Sequence, residues 1–282
     1  MKCIFCGNDS RDSRSVEHII PESFGNSTAI LPKGVVCDKC NNYIGRKIEL
    51  PFLNSEAILL LRQELALENK NNKTINQFDY PKANEIVQQI SPNYYFVFSQ
   101  EDKNETEIKS SVAEYIEYVN RTDSALLSPN ICMSRLLAKM AIEAFIYRCG
   151  VNSGVCDYVR EDDAFKALRT HVRYDGRKIW NYSARRIYSR AEAYKGDPQS
   201  SISWEFDFLF IPNGEVYFVI AMFGIEYAIN MAGSSIEGYN EWLKNNNNIS
   251  PLYISDKQRK ENYMGYTKKT FYSKKRKIRR QT

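Results

Sequence analysis

Two Cys-x-x-Cys pairs constrain the fold of this chain more than any other feature of its sequence. Cys3 and Cys6 form the first pair, Cys37 and Cys40 form the second, and thirty residues lie between the pairs. Four thiolates are the donor set of a closed, tetrahedral structural zinc site, whereas a simple zinc ribbon separates its pairs by about fifteen to twenty residues. The spacing therefore predicts a structural Zn²⁺ bound by all four cysteines, with an additional element inserted between the pairs.

The other cysteines and the apolar residues indicate the cellular environment. The total of seven cysteines is odd, and the first residues carry no apolar stretch of the kind found in a secretory signal. We expect reduced thiols in a cytoplasmic protein, with Cys132, Cys149 and Cys156 as small core residues. No apolar run reaches the roughly eighteen residues of a membrane span, so a membrane partner is not expected.

Composition divides the 282 residues into an N-terminal module (1–53), a larger region (54–267) and a basic tail (268–282). The module is dense in Cys, Gly and Pro, and such a segment needs a staple such as zinc to fold. Its helix is expected to begin near Asp38, and Pro51 is interpreted as the stop or hinge of that helix.

The larger region carries signals of both helices and strands. Residues 133–148 repeat apolar side chains at the helical period, which predicts a core helix. Segments 204–210 and 216–223 flank Asn213-Gly214, a pair typical of a β-hairpin turn. We therefore predict an α+β fold, in which a zinc-stapled module precedes a larger mixed domain.

The element inserted between the cysteine pairs carries a specific motif. It contains Glu17-His18-Ile19-Ile20-Pro21, and Asn41 directly follows the last cysteine at the expected start of a helix. An acid-His-x-x-Pro segment between two Cys-x-x-Cys pairs, followed by this Asn, resembles the zinc-binding branch of the HNH endonuclease superfamily, whose fold is named ββα-metal. The resemblance covers about residues 1–53 only.

The resemblance implies a role for each residue of the motif. Glu17 and the side-chain oxygen of Asn41 would bind a catalytic divalent cation, Mg²⁺ or another, and His18 would act as the general base on water. The residue types suit that chemistry, because a neutral imidazole can accept a proton near physiological pH and a hard cation prefers oxygen ligands.

This sequence also departs from the usual family pattern. The metal-binding acid is usually Asp, and a His often supplies the helix ligand, where this chain has Glu17 and Asn41. The middle Asn that orients the base has no clear counterpart. Asn26 and Asn42 are the candidates for that role, and a backbone carbonyl is the alternative.

Each of these residues also has an ordinary structural explanation. Glu17 and His18 could form a surface or capping pair, and Asn41 could cap its helix. Glu49 lies about 12 Å along the helix from Asn41, a distance that favours a salt bridge or cap over metal binding. His171 is interpreted as a half-buried structural histidine. Without catalysis, the module would be a zinc-binding module that only binds nucleic acid.

The functional prediction combines the module with the tail. We predict an endonuclease that hydrolyses phosphodiester bonds in nucleic acid, DNA before RNA, in the manner of a bacterial host-defence effector. The larger region would then provide a protein partner site or an oligomer interface. The tail holds eight Lys or Arg and no acid, so the rest of the chain is net acidic. Its phosphate-binding residues are predicted to be Lys274, Lys275, Arg276, Lys277, Arg279 and Arg280.

Overall fold

The structure is a computed structural model of the chain. It describes residues 1–24, 26, 28–64, 85–91, 94–99, 102–174, 177–188, 204–253 and 271–272. Among these residues, none of the helices has the length and apolar character that crossing a membrane requires.

The N-terminal module consists of two short strands followed by a helix. Strands β1 (Glu17–His18) and β2 (Ile30–Leu31) are antiparallel, with Glu17 opposite Leu31. Helix α1 (Asp38–Ile44) continues through a π-helical turn (Gly45–Glu49) into α2 (Leu50–Leu53). The predicted start at Asp38 is thus confirmed.

Of the two alternatives given for Pro51, the helix stop is wrong by a short distance. The helix passes this residue and ends at Leu53, because Pro51 lies in the first turn of α2, where a proline is tolerated. A π-helical turn directly precedes α2, and its last hydrogen bond runs from the Leu50 N–H to the Gly45 carbonyl.

The larger region contains helices and antiparallel strands, which confirms the predicted α+β fold. Its helices are α3 (Glu56–Glu64), α4 (Glu105–Leu127), α5 (Ile131–Cys149), α6 (Ser153–Glu161), α7 (Asp163–Arg173) and α8 (Glu237–Asn245). Its strands are β3 (Glu85–Ser91), β4 (Tyr94–Ser99), β5 (Tyr182–Arg186), β6 (Trp204–Phe210), β7 (Val216–Met222), β8 (Ile225–Asn230) and β9 (Phe271–Tyr272). The predicted hairpin is formed by β6 and β7.

The described strands form one five-stranded sheet and two smaller pairs. The sheet has the order β5-β8-β7-β6-β9, while β3 pairs with β4 and β1 with β2. Strand β6 pairs with β7 so that Trp204 lies opposite Met222. The other edge of β6 pairs with β9 through Glu205 and Phe206. Phe206, Phe218 and Ile229 of this sheet belong to the main core.

Helix α5 is the centre of that core. It packs against the π-helical turn, α2 and β2 of the N-terminal module and against α7 and β8 of the larger region. Its residues 133–144 are all buried, including Arg135, Lys139 and Glu143. Buried residues of the module, such as Ile19 and Ile44, therefore lie in the same hydrophobic cluster as Leu136. The hydrophobic core is therefore continuous across the domain boundary that composition suggested at residue 53.

Candidate active site and metal centre

The four cysteines of the two Cys-x-x-Cys pairs lie together. Their sulfur atoms, from Cys3, Cys6, Cys37 and Cys40, are all within 4.8 Å of one another, and the Sγ atoms of Cys6 and Cys37 are 3.7 Å apart. Zn–S bonds of about 2.3 Å in a tetrahedron place the sulfurs roughly 3.8 Å apart. The cluster therefore has the donor atoms and the size to hold one metal ion.

The local backbone explains how the cysteines meet. Gly7 adopts φ +73°, which glycine tolerates, and its N–H donates to the carbonyl of Cys3 to close the first turn. Cys37 caps the N-terminus of α1, and its sulfur accepts from the backbone N–H of Cys40. The sulfur of Cys3 accepts from the N–H of Cys37, so a hydrogen bond of the protein itself connects the two cysteine pairs.

The thiols also influence one another. The hydrogen bond between Cys3 and Cys40 lowers the pKa of Cys3 to about 5 and raises the pKa of Cys40. Arg173 of α7 donates to the sulfur of Cys40, and its guanidinium lies 3.8 Å from the ring centroid of Tyr43. A cation at this position favours thiolate over thiol, as metal binding requires.

Two polar side chains of helix α1 bind the segment that leads into strand β1. The carboxylate of Asp38 accepts from the N–H groups of Arg14 and Ser15 and from the Ser15 hydroxyl, and the Ser15 hydroxyl is the main cause of a lowered pKa at Asp38. The side-chain nitrogen of Asn41 donates to the carbonyl of Val16 at 3.0 Å. These bonds hold the start of β1 beside the first turn of the helix.

Glu17 points into the protein and pairs with a lysine of α5. Its Oε1 lies 2.7 Å from Nζ of Lys139, and only 5% of the residue is exposed. Its Oε2 is buried and has no hydrogen-bond partner among the described residues. Burial raises the pKa of Glu17, although the neighbouring ammonium opposes that shift.

Lys139 is surrounded by oxygen atoms. Besides Glu17, its Nζ donates to the carbonyl oxygens of His18 at 2.5 Å and Ile19 at 3.2 Å. It forms further ion pairs at 3.1 Å with Glu49 and with Glu143. Burial disfavours the charged lysine, but the three carboxylates outweigh burial and raise its pKa. Burial raises the pKa of Glu143 as well.

The predicted active-site residues therefore lie near one another along β1 and α1. The side chain of His18 is half-buried, and neighbouring strand residues point to opposite faces. The amide nitrogen of Asn41 donates to the carbonyl of Val16, the residue directly before this strand. The same side chain carries an oxygen of the kind that a hard cation binds. The roles of Glu17, His18 and Asn41 remain predictions.

The candidates for the orienting asparagine are not equivalent. Asn26 is buried, and its amide nitrogen donates to the carbonyls of Ile20 and Ala29. Its oxygen accepts from the N–H groups of Thr28 and Ala29. These four bonds connect the residue that follows β1 closely, Ile20, to the residues that precede β2, Thr28 and Ala29. Asn26 therefore has a structural role. Asn42 is exposed on α1.

The other predicted structural residues have mixed outcomes. His171 is buried, and its Nε2 lies 2.9 Å from the Ser134 hydroxyl, which is consistent with a structural histidine. Glu49 forms the expected salt bridge. Cys156 is buried, but Cys149 is exposed at the end of α5, so its assignment to the core is wrong. The six predicted phosphate-binding residues of the tail lie outside the described residues.

Sequence reasoning missed Lys139 and Glu143. The two residues are four positions apart and lie in a mainly apolar run between Leu136 and Phe145. A buried pair of opposite charges at this spacing is the signal that could have identified them, because Lys and Glu are rarely buried unless paired.

Comparison with known proteins agrees with the geometry of the module. Residues 3–56 match the family model described as HNH endonuclease. No curated protein matches the chain, and no solved structure matches it. The chain is thus an α+β protein with an N-terminal HNH-type region.

Proposed function

We propose that this chain is a metal-dependent endonuclease that hydrolyses phosphodiester bonds in DNA. Zn²⁺ would be bound by Cys3, Cys6, Cys37 and Cys40 and would have a structural role. The observation that carries the proposal is the buried Oε2 of Glu17, which lacks a hydrogen-bond partner among the described residues and lies in the HNH-type region. Such an atom fits a cation ligand, because an unsatisfied buried carboxylate oxygen is otherwise costly.

The roles follow from the residue types. In this proposal His18 accepts a proton from the attacking water, and the Glu17 carboxylate and the Asn41 side-chain oxygen would hold the catalytic cation. When bound, Mg²⁺ or another divalent cation supplies positive charge to the phosphate and to the leaving oxygen. The zinc cluster and the Asp38 bonds hold the segment before β1 beside helix α1. In this proposal, that fixed arrangement is what allows base and ligands to address one phosphate.

One observation favours a second candidate, a zinc module that binds nucleic acid without cutting it. The Oε1 atom of Glu17 already has a cationic partner in Lys139. A carboxylate neutralised by a buried lysine can serve stability alone. The two candidates differ in whether His18 is needed for a chemical step.

Substitution of His18 tests the proposal directly. His18→Ala should slow single-turnover cleavage of plasmid DNA roughly 10²- to 10⁴-fold, because the base is removed while the ligands for the cation remain. Zinc content and DNA binding should stay near wild type. The control is His171→Gln, since this second histidine is buried against the Ser134 hydroxyl and has no predicted catalytic role. If His18→Ala cuts as fast as the parent at every metal concentration, the catalytic proposal is wrong.

Glu17→Gln and Asn41→Ala should behave differently from His18→Ala. Both remove an oxygen ligand or its charge, so the rate should recover in part at higher Mg²⁺ or with Mn²⁺. Titration of the metal at saturating DNA measures this recovery. An identical reduction in rate at all metal concentrations in the three variants would contradict the assigned division of roles.

The biological role that we propose, a host-defence effector, rests on the resemblance of this architecture alone. In that role the larger region would bind a partner or form an oligomer, and the basic tail would contact DNA. A digest of duplex, nicked, single-stranded DNA and RNA with the purified chain tests the substrate class. Cutting of RNA alone would overturn the assignment to DNA.

A further inference from the structure

We propose that Lys139 is a positioning residue of the active site, which fixes the end of β1 and so sets the position of His18 and of the free oxygen of Glu17. The inference rests on the proposed function. It assigns a role in the reaction to helix α5, which lies outside residues 3–56 that match the HNH family model.

The contacts of Lys139 are concentrated on the strand that carries the motif. Its Nζ reaches the carbonyl of His18, the carbonyl of Ile19 and the carboxylate of Glu17, at 2.5, 3.2 and 2.7 Å. Three consecutive residues of one chain segment are thus held by a single ammonium group. Lys139 itself has no exposed surface, which leaves its side chain little freedom to move.

The same contacts exclude a direct chemical role for this lysine. An ammonium group has three donor hydrogens, and five oxygen atoms already surround Nζ within 3.2 Å. No hydrogen remains for a substrate, and a fully buried group cannot contact DNA. Lys139 must therefore act through the residues that it holds.

The arrangement also fixes which oxygen of Glu17 is available. Oε1 is occupied by the ammonium, so the carboxylate presents Oε2 as its remaining atom. At the next residue, the bond to the His18 carbonyl restricts the backbone that orients the imidazole. A displacement of about 1 Å in such a site costs roughly 10²-fold in rate.

Two variants remove the lysine and differ in charge. Lys139→Met leaves the carboxylates of Glu17, Glu49 and Glu143 without their cation, and this variant is the more prone to misfold. The double variant Lys139→Met with Glu143→Gln removes one positive and one negative charge, so the formal charge of the cluster is unchanged. Lys139→Arg keeps the cation and is the conservative variant.

The matched control is Ser134→Ala, on the same helix. Ser134 is fully buried, and its hydroxyl contacts the N–H and the carbonyl of Trp180 and Nε2 of His171, none of which belongs to β1. Its removal should destabilise the same helix without displacing His18. Thermal unfolding and zinc content of all variants establish that they are folded and hold the metal.

The first measurement is the single-turnover rate at saturating DNA and Mg²⁺. We expect the double variant to cut roughly 10²-fold more slowly than wild type with unchanged DNA affinity, Lys139→Arg to recover part of the rate, and Ser134→Ala to cut like wild type. A double variant that is folded, holds zinc and cuts at the wild-type rate would overturn the proposal. An equal reduction in Ser134→Ala would show general destabilisation and overturn it too.

The second measurement needs no activity. The chain has only two histidines, so the ring resonances of His18 in a ¹H–¹³C NMR spectrum are assigned by comparison with His18→Ala. Removal of Lys139 should shift the His18 signals, whereas Ser134→Ala should leave them in place. Unchanged His18 signals in the double variant would refute the positioning role. If wild type cuts no nucleic acid, the proposed function fails, and this measurement still decides whether Lys139 positions His18.

Discussion

At the scale of single residues, the sequence reveals ligands that form local motifs and conceals those that meet only in the fold. The spacing of Cys3, Cys6, Cys37 and Cys40 predicted a cluster that the structure confirms. Lys139 contacts Ile19 across 120 positions of the chain, so no local pattern relates the two residues. Helical periodicity placed Lys139 in a core helix but could not show which carboxylates it would meet.

Tyr182 gives a pH-dependent prediction at the residue scale. Its hydroxyl accepts from the N–H of Asn130 and donates to the carbonyl of Ser128, before the first turn of α5. Burial raises the pKa of Tyr182 to about 12, although the bond from Asn130 opposes the shift. The ordinary tyrosine value is about 10. The stability that this hydroxyl contributes is thus fully present below about pH 10 and disappears as the pH rises through about 12.

The measurement compares wild type with Tyr182→Phe. At about pH 8 the variant should unfold more easily by about 1 kcal/mol, because the two hydrogen bonds of the hydroxyl are absent. Between about pH 10 and 12 the difference should close and then reverse, because ionisation of the hydroxyl costs the wild type about 1.4 kcal/mol per unit of raised pKa, more in total than its hydrogen bonds contribute. Parallel denaturation curves over that pH range would contradict the prediction.

At the scale of elements, regular periodicity and turn signals were sufficient for prediction. Helix α5 and the hairpin of β6 and β7 lie where the sequence placed them, since both depend on local patterns. The end of the module helix could not be predicted from Pro51 alone. The π-helical turn before it has no sequence signal comparable to a proline, and the position of that turn against α5 is a tertiary contact.

The zinc cluster yields the prediction for this scale. Cys40→Ser should release the metal and lower the melting temperature strongly, because metal binding and folding are coupled. In small zinc-finger peptides, zinc binding contributes about 10 kcal/mol or more to folding. Elemental analysis and thermal unfolding measure both effects. Cys149→Ser is the control, since that cysteine is exposed at the end of α5. Retention of zinc by Cys40→Ser would remove the basis of the four-cysteine assignment.

At the scale of the whole molecule, the module and the larger region share one core. The hydrophobic cluster that contains Ile4 and Ile48 also contains Met140 and Ile220. Composition suggested a boundary at residue 53, since the density of Cys, Gly and Pro falls there. Burial across that boundary depends on α5, so it could not be read from local composition. The metal-binding motif and its supporting helix thus come from opposite sides of the boundary.

The basic tail gives the prediction for the whole chain. A truncation after Tyr272 keeps β9, which pairs with β6 through Phe271 and Tyr272, and removes the six predicted phosphate-binding residues. If these residues bind DNA, affinity should fall. The log-log slope of binding against salt should flatten by about 0.9 for each phosphate that the tail no longer neutralises, or about 5 for six phosphates. Cleavage at saturating DNA should persist, because His18 and the zinc cluster are unaffected.

Electrophoretic mobility shifts over a salt series measure the slope for wild type and for the truncated chain. A full-length control with the same six residues replaced by Gln separates charge from length, since it retains the polypeptide and removes only the cations. Equal slopes for wild type and the Gln variant would show that the tail does not bind phosphate. A truncated chain that binds normally but no longer cuts would instead place the tail in the reaction, against the division of roles proposed for His18, Glu17 and Asn41.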